Sequence, residues 1–240
     1  IWGRDLSPAQ STAQLLDAAA SAFPNTWFRL LYLQPAGIND ELLSVMNAHD
    51  NVCKYLDMPL QHADADVLKA MNREGSPAEY LEVLEHVRDM VPGITTRTTF
   101  MAGFPGETDE QFEELLDFAE EACFDYAVVF PYSQEDGSAA GSFDCQLDED
   151  TKVERAQRLL DVCDAVGHAS IARNVGKTVQ ALVEGYDAGV EALARWQGQA
   201  PEVDGQIHVP IASEDVLPIG TVVPVTITDS FYYELEGELA

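Results

Sequence analysis

The sequence predicts an α/β protein in which a parallel sheet with helices precedes a small antiparallel β-barrel. Apolar, strand-like runs alternate with helical patterns up to about residue 173, and this alternation produces βαβ units with a parallel sheet. From residue 174 the segments become short and alternate between apolar and polar residues, with Gly, Pro and Asp between them. We therefore expect two domains, residues 1–173 and residues 174–240.

Local signals place the elements of both domains. Ser7 and Ser76 are each followed by proline, a pattern typical of an N-cap with proline at the first helical position. Asn39, Asp64 and Thr108 are predicted to begin three further helices, and a long helix follows from about residue 150 to 173. The strands of the first domain are predicted at residues 27–35, 52–61, 94–105 and 126–133. Those of the second domain are predicted at residues 179–186, 191–197, 206–211, 221–227 and 231–239.

A glycine-rich turn follows the third strand in the stretch TFMAGFPGETDEQF, residues 99–112. The strand is apolar and β-branched, as expected for a strand covered on both faces, and a capping box starts the next helix. The turn therefore lies at the C-terminal end of a parallel strand, where such folds bind ligands. Gly103 and Gly106 would let a flat or phosphate-like group approach the main chain, and Pro105 stiffens the turn. The alternative is a turn that serves only folding.

The charge balance limits the partners. There are 13 basic and 42 acidic residues, a formal net charge of −29, which opposes binding to a polyphosphate backbone and favours basic partners. The alternative explanation is a source whose proteins are generally acidic. Residues 176–240 alone contain Lys177 and Arg195 against eleven carboxylates, a formal charge of −9. Among these carboxylates, Glu202 and Asp204 are expected to be exposed.

Other features of composition point to the cytoplasm. No apolar run approaches the roughly 20 residues of a membrane span, and the start, IWGRDLSPAQ, lacks the features of a signal peptide. Four cysteines lie far apart without the spacing of metal ligands, so we expect reduced thiols and no metal site in this chain. Because the chain opens on Ile-Trp-Gly without Met, we expect it to be part of a longer protein.

Three long stretches resemble the radical S-adenosylmethionine (radical SAM) methylthiotransferases: YLDMPLQHADADVLKAMNR, RTTFMAGFPGETDEQFEELLDF and VFPYSQEDGSAA. The resemblance covers essentially the whole chain. It implies that residues 1–173 are the C-terminal part of a partial (β/α) radical SAM barrel that binds S-adenosylmethionine. Segments such as KTVQALVEGYD and ITDSFYYELEGEL resemble a TRAM domain, an OB-like β-barrel, at residues 174–240.

The sequence A-P-E-V-D-G, residues 200–205, is similar to the branch of this family that adds a methylthio group to an aspartate of ribosomal protein uS12. This resemblance implies that the acidic TRAM domain binds the basic ribosomal protein, and the charge independently makes nucleic acid an unfavourable partner. A tRNA methylthiotransferase of the same family is the first alternative. A non-catalytic acidic binding module is an alternative of another class.

One part of the family pattern is missing. The C-x-x-x-C-x-x-C loop that holds the catalytic [4Fe-4S] cluster is absent from this chain, as is the family's N-terminal domain with its second cluster. We therefore expect two clusters in the intact protein, none in this chain, and no activity from the chain alone.

The candidate site consists of residues at the ends of the predicted strands. Asp57 and Arg97 are charged residues within apolar strands, so they form either a buried ion pair or contacts to the cofactor. His62 is either structural, as is more common at such a position, or a cofactor contact. Glu107 either favours the helix N-terminus that it precedes or takes part in catalysis. No catalytic residue is assigned. The resemblance and strand positions together give these candidate cofactor-binding residues: Gln61, Arg97, Gly103, Phe104, Pro105, Gly106, Phe130 and Tyr132.

Overall fold

The computed structural model describes residue 3 and residues 5–187, 191–211 and 217–240. In the first domain, four parallel strands lie side by side in chain order. They are β1 (Phe28–Leu30), β2 (Val52–Asp57), β3 (Thr95–Ala102) and β4 (Tyr126–Pro131). The helices are α1 (Thr12–Ala22), α2 (Asp40–Ala48), α3 (Ala65–Ala70), α4 (Pro77–Met90), α5 (Asp109–Ala122) and α6 (Glu149–Ala172). The predicted α/β class is confirmed.

Four of the five predicted helix caps are confirmed. The side chains of Asn39, Asp64, Ser76 and Thr108 each accept a backbone N–H in the first turn of their helix. The helix predicted from Ser7 is wrong, because α1 is capped by Ser11, four residues later. In the structure the helix begins at a capping box formed by Ser11 and Gln14.

The sheet has one covered face and one open face. Alternate residues of β3, such as Thr98 and Phe100, are buried beneath the helices, whereas Arg97, Thr99 and Met101 are half-buried. The expectation that this strand is covered on both faces is therefore wrong. Its polar residues lie on the concave face of a partial barrel, where side chains can meet a ligand.

The second domain is a closed barrel with strand order β5-β6-β7-β9-β8. Its strands are β5 (Thr178–Asp187), β6 (Glu191–Trp196), β7 (Ile207–Pro210), β8 (Val222–Phe231) and β9 (Glu234–Leu239). The pairs are antiparallel except for β7 and β9, which run parallel. The small barrel predicted from the short alternating segments is confirmed, and the expected boundary near residue 174 lies between α6 and β5.

The two domains share a core. Cys53, Tyr55, Tyr126 and Ile171 of the first domain belong to one apolar cluster with the inward residues of β5 to β9. The loop at residues 200–205 also reaches the first domain, where the Tyr55 hydroxyl donates to Asp204 at 2.7 Å. The expectation that Asp204 is exposed is wrong, because its side chain is only 1% exposed. Glu202, on the same loop, is exposed as expected.

Candidate functional site

A cavity of about 380 Å³ lies on the concave face at the C-terminal ends of the strands. Two candidates from the sequence, Gln61 and Arg97, contribute polar groups to it, and Phe130 contributes an aromatic ring. Further lining comes from Tyr32, Leu33, Gln34, Pro59, Arg73, Thr99 and Val128. The lining of the cavity thus combines guanidinium, amide and hydroxyl groups with apolar side chains.

A buried ion pair forms the base of this cavity. Arg97 Nη1 lies 3.1 Å from Asp57 Oδ1, and the Asp57 side chain is 1% exposed. The other carboxylate oxygen of Asp57 accepts the backbone N–H of Tyr32 at 2.8 Å. The φ of Tyr32 is 59°, which lies in the left-handed region that L-residues disfavour, and this hydrogen bond holds the backbone of Tyr32 there. The ion-pair alternative for Asp57 and Arg97 is therefore realised, and Arg97 still borders the cavity.

Gln61 reaches the cavity through an irregular backbone. The chain leaves β2 after Asp57, and Gln61 rejoins the sheet as a single parallel bridge to Phe100. Its φ is 74°, another left-handed value, while its N–H and C=O bind the backbone of Thr99 and Met101 at 2.8 and 2.7 Å. The backbone bonds on both sides fix this conformation, and the side chain lines the cavity.

His62 lies outside the cavity and is fully buried. Its Nδ1 accepts the backbone N–H of Asp64 at 3.0 Å, so the proton of the neutral ring is on Nε2. That nitrogen lies 3.4 Å from a carboxylate oxygen of Glu107. These contacts favour the structural alternative for His62.

The glycine-rich turn is held from within by Glu107. Its Oε2 accepts the N–H groups of Gly103 and Phe104 at 2.9 and 3.3 Å, and its Oε1 lies 2.7 Å from Arg155. The N–H of Gly106 donates to the carbonyl of Cys145 at 2.8 Å, and proline has no N–H to offer. The N–H groups of residues 103–106 are therefore occupied by the protein itself. Glu107 therefore does more than favour the helix N-terminus: it acts as a clamp that holds the turn through the N–H groups of Gly103 and Phe104.

The glycines are required by the local fold. Gly103 and Gly106 have φ values of 77° and 84°, and a Cβ on them would lie 2.7 Å from Lys152 and 3.1 Å from Cys145. Phe104 and Tyr132 are buried, with ring centroids 5.4 Å apart. Neither residues 103–106 nor Tyr132 lines the cavity, and their contact with a cofactor stays a prediction.

Sequence reasoning missed Arg73. It follows the six-residue helix α3, donates to the Pro59 carbonyl at 3.2 Å, and has no carboxylate partner among the described residues. A helix this short gives no clear periodic signal. The only sequence feature that marks Arg73 is its charge, because just 13 of 240 residues are basic.

Comparison with known proteins identifies the two domains. The radical SAM superfamily model matches residues 14–119, and the TRAM domain model matches residues 175–240. Residues 14–119 are therefore part of a radical SAM domain, and residues 175–240 form a TRAM domain. The radical SAM barrel is also similar to coproporphyrinogen III oxidase (HemN) from Escherichia coli, with a TM-score of 0.53 and 16% identity. That match covers 78% of this chain and 51% of the other, and it shows the fold alone.

Two curated relatives match essentially the whole chain. The chain is 40% identical over 240 residues to the ribosomal protein uS12 methylthiotransferase RimO of Geotalea uraniireducens, covering 99% of this chain and 53% of that protein. It is 39% identical over 241 residues to the RimO of Bdellovibrio bacteriovorus, covering 100% and 52%. The chain therefore spans about half the length of the curated relatives it matches, and it is a homologue of these radical SAM methylthiotransferases.

The cavity of the radical SAM barrel suits S-adenosylmethionine. The cofactor has a carboxylate, a ribose and a flat adenine, and the lining offers two guanidinium groups, amide and hydroxyl groups, and the apolar Val128 and Phe130.

In the described ranges, no three His, Cys, Asp or Glu side chains come together to hold a metal ion. Over those same ranges, no helix is long and apolar enough to cross a bilayer.

Proposed function

We propose that this chain is the C-terminal part of a methylthiotransferase that modifies an aspartate of ribosomal protein uS12 in the cytoplasm. The observation that carries the proposal is 40% identity to a uS12 methylthiotransferase over 99% of the chain, through both domains. The cavity at the strand ends adds physical support, because ligands of (β/α) barrels bind at that end.

In the proposed enzyme, S-adenosylmethionine supplies the radical chemistry and the methyl group, and the residues of this chain bind and orient it. Arg73 would bind the cofactor carboxylate, because it has no carboxylate partner in the described part of the chain. Gln61 and Thr99 would donate to polar groups of the cofactor. Phe130 and Val128 would pack against adenine and exclude water from that face.

Substitution at the cavity tests the cofactor site. Arg73→Gln is expected to weaken S-adenosylmethionine binding by at least about tenfold, since a hydrogen bond between charged groups contributes roughly 1.5–3 kcal/mol. Isothermal titration calorimetry on the 240-residue chain and on the intact protein would measure this. Lys69→Gln is the matched control, because Lys69 is an exposed basic residue of α3 outside the cavity. Equal affinities for the two variants would contradict the proposed site.

Charge supports uS12 rather than RNA as the substrate of the TRAM domain. The formal charge of −9 within residues 176–240 attracts a basic protein and repels phosphates. Mass spectrometry of uS12 and of tRNA, from cells with and without the intact gene, separates the two substrates. A gene-dependent methylthio group on tRNA and none on uS12 would support the tRNA-modifying alternative. Modification of neither would favour the non-catalytic binding module.

A further inference from the structure

A carboxylate of the TRAM domain is buried against the radical SAM barrel. Asp204 lies on the loop at residues 200–205, and its Oδ2 accepts the Tyr55 hydroxyl and the Ala200 N–H, both at 2.7 Å. Two donors from two domains therefore fix this side chain. Burial raises the pKa of the Asp204 carboxyl above its ordinary value, so the group is held there despite a cost in desolvation.

The second oxygen of Asp204 faces Arg97. Asp204 Oδ1 lies 3.5 Å from Arg97 Nε as an ion contact, and in the described structure both atoms are buried without a hydrogen-bond partner. The opposite side of the guanidinium is paired with Asp57 at 3.1 Å. Arg97 is thus held between one carboxylate of its own barrel and one of the TRAM domain.

Arg97 also lines two cavities. One is the proposed cofactor cavity, and the other is an interdomain cavity of about 270 Å³ lined by Asp204, Val203 and Tyr126. A guanidinium at this position has a direction set by both of its carboxylates. If Asp204 were neutral, only Asp57 would orient it, and the Nε–H group would lose its facing charge.

We propose that Asp204 of the TRAM domain is a positioning residue that orients Arg97 at the wall of the cofactor cavity. The functional part of this inference rests on the proposed cofactor site. Through this contact, the domain proposed to bind the substrate protein also shapes the cofactor cavity. Displacement of the 200–205 loop would change the orientation of the Arg97 guanidinium without any movement of the barrel strands.

Arginine side-chain NMR tests the positioning directly and needs no cofactor. The chain has only nine arginines, so the ¹⁵Nε–Hε signal of Arg97 is identified by its loss in Arg97→Gln. In the wild type we expect a rigid Nε–H, with an order parameter near 0.85, and a lower value for Arg73 of the same cavity. An Arg97 order parameter as low as that of Arg73 would overturn the proposal without any further variant.

Asp204→Asn is the main variant. We expect hydrogen exchange of the Arg97 Nε–H to become about tenfold faster or more, since the carboxylate charge facing it is lost. Glu202→Gln removes an exposed charge from the same loop and should change nothing. Tyr55→Phe removes one bond to Asp204 but leaves its contact with Arg97. Unchanged exchange in Asp204→Asn, or equal acceleration in Tyr55→Phe, would refute a positioning role.

Cofactor binding provides the second readout. Asp204→Asn should weaken S-adenosylmethionine binding about three- to tenfold, and Arg97→Gln should weaken it at least as much. If Arg97→Gln leaves the affinity unchanged, the proposed cofactor site fails while the NMR result still decides whether Asp204 positions Arg97. If Arg97→Gln weakens binding and Asp204→Asn does not, the link from the TRAM domain to the cofactor fails.

Discussion

Glu107→Gln should destabilise the protein strongly, although Glu107 precedes a helix where a carboxylate needs no partner. Its side chain is fully buried and accepts two turn N–H groups, from Gly103 and Phe104, while pairing with Arg155 at 2.7 Å. Removing one partner of a buried ion pair typically costs about 3–5 kcal/mol, because the other charge stays buried. The exposed Asp109 also contacts Arg155 and offsets part of this loss, so we expect about 3 kcal/mol.

The assay is urea or thermal unfolding followed by circular dichroism. At about 2–4 °C per kcal/mol for a chain of this size, the midpoint should fall by roughly 6–12 °C. Glu114→Gln, an exposed change on the same helix α5, should shift the free energy of unfolding by less than about 0.5 kcal/mol. If Glu107 acted only on the helix dipole, its loss would cost about 1 kcal/mol or less. A result in that range would refute the clamp.

Three further expectations concern thiols, iron and the TRAM surface. A thiol reagent at pH 8 should label the exposed Cys123 and Cys145 quickly but not the buried Cys163. The reason is that burial raises the pKa of the Cys163 thiol to about 12. Rapid labelling of Cys163 would contradict this burial. That pKa also predicts falling stability above about pH 9, where the unfolded thiol ionises and the folded one does not, and Cys163→Ala should remove this component. Anaerobic reconstitution of the chain with iron and sulfide should yield no stoichiometric cluster, and about four irons per chain with a cluster-like absorbance band would overturn that expectation. Glu202→Lys should mainly slow association with uS12 at low salt, and an unchanged association rate would argue against electrostatic steering.

Local chemistry explains what the sequence could predict. Helix caps such as Asn39 and Thr108 depend on residues three positions apart, so a short window contains the whole signal. The Asp57–Arg97 pair could be proposed because both charges interrupt apolar strands. The strand predicted to run through residue 61 ends at Asp57, since the backbone turns away before Gln61 rejoins the sheet.

Contacts between distant parts of the chain account for what was missed. Asp204 reads as one more exposed carboxylate in a highly acidic chain, and only the folded structure brings it 3.5 Å from Arg97. The role of Glu107 depends in the same way on Arg155, which belongs to another helix. Charge composition predicts which partners a protein surface favours, but it does not show which charged side chains are buried in the folded protein.

The shared core of the two domains limits how this protein can be divided. Tyr55, Tyr126 and Ile171 pack directly against the inner residues of the small barrel, so separating the domains would expose apolar surface on both. An excised fragment of residues 174–240 would therefore be prone to self-association, and binding studies should keep the barrel attached. A chimaera with another TRAM domain must exchange these three residues together with the 200–205 loop. The part that must be transferred as a unit in such a chimaera is thus the interface between the domains rather than the TRAM domain alone.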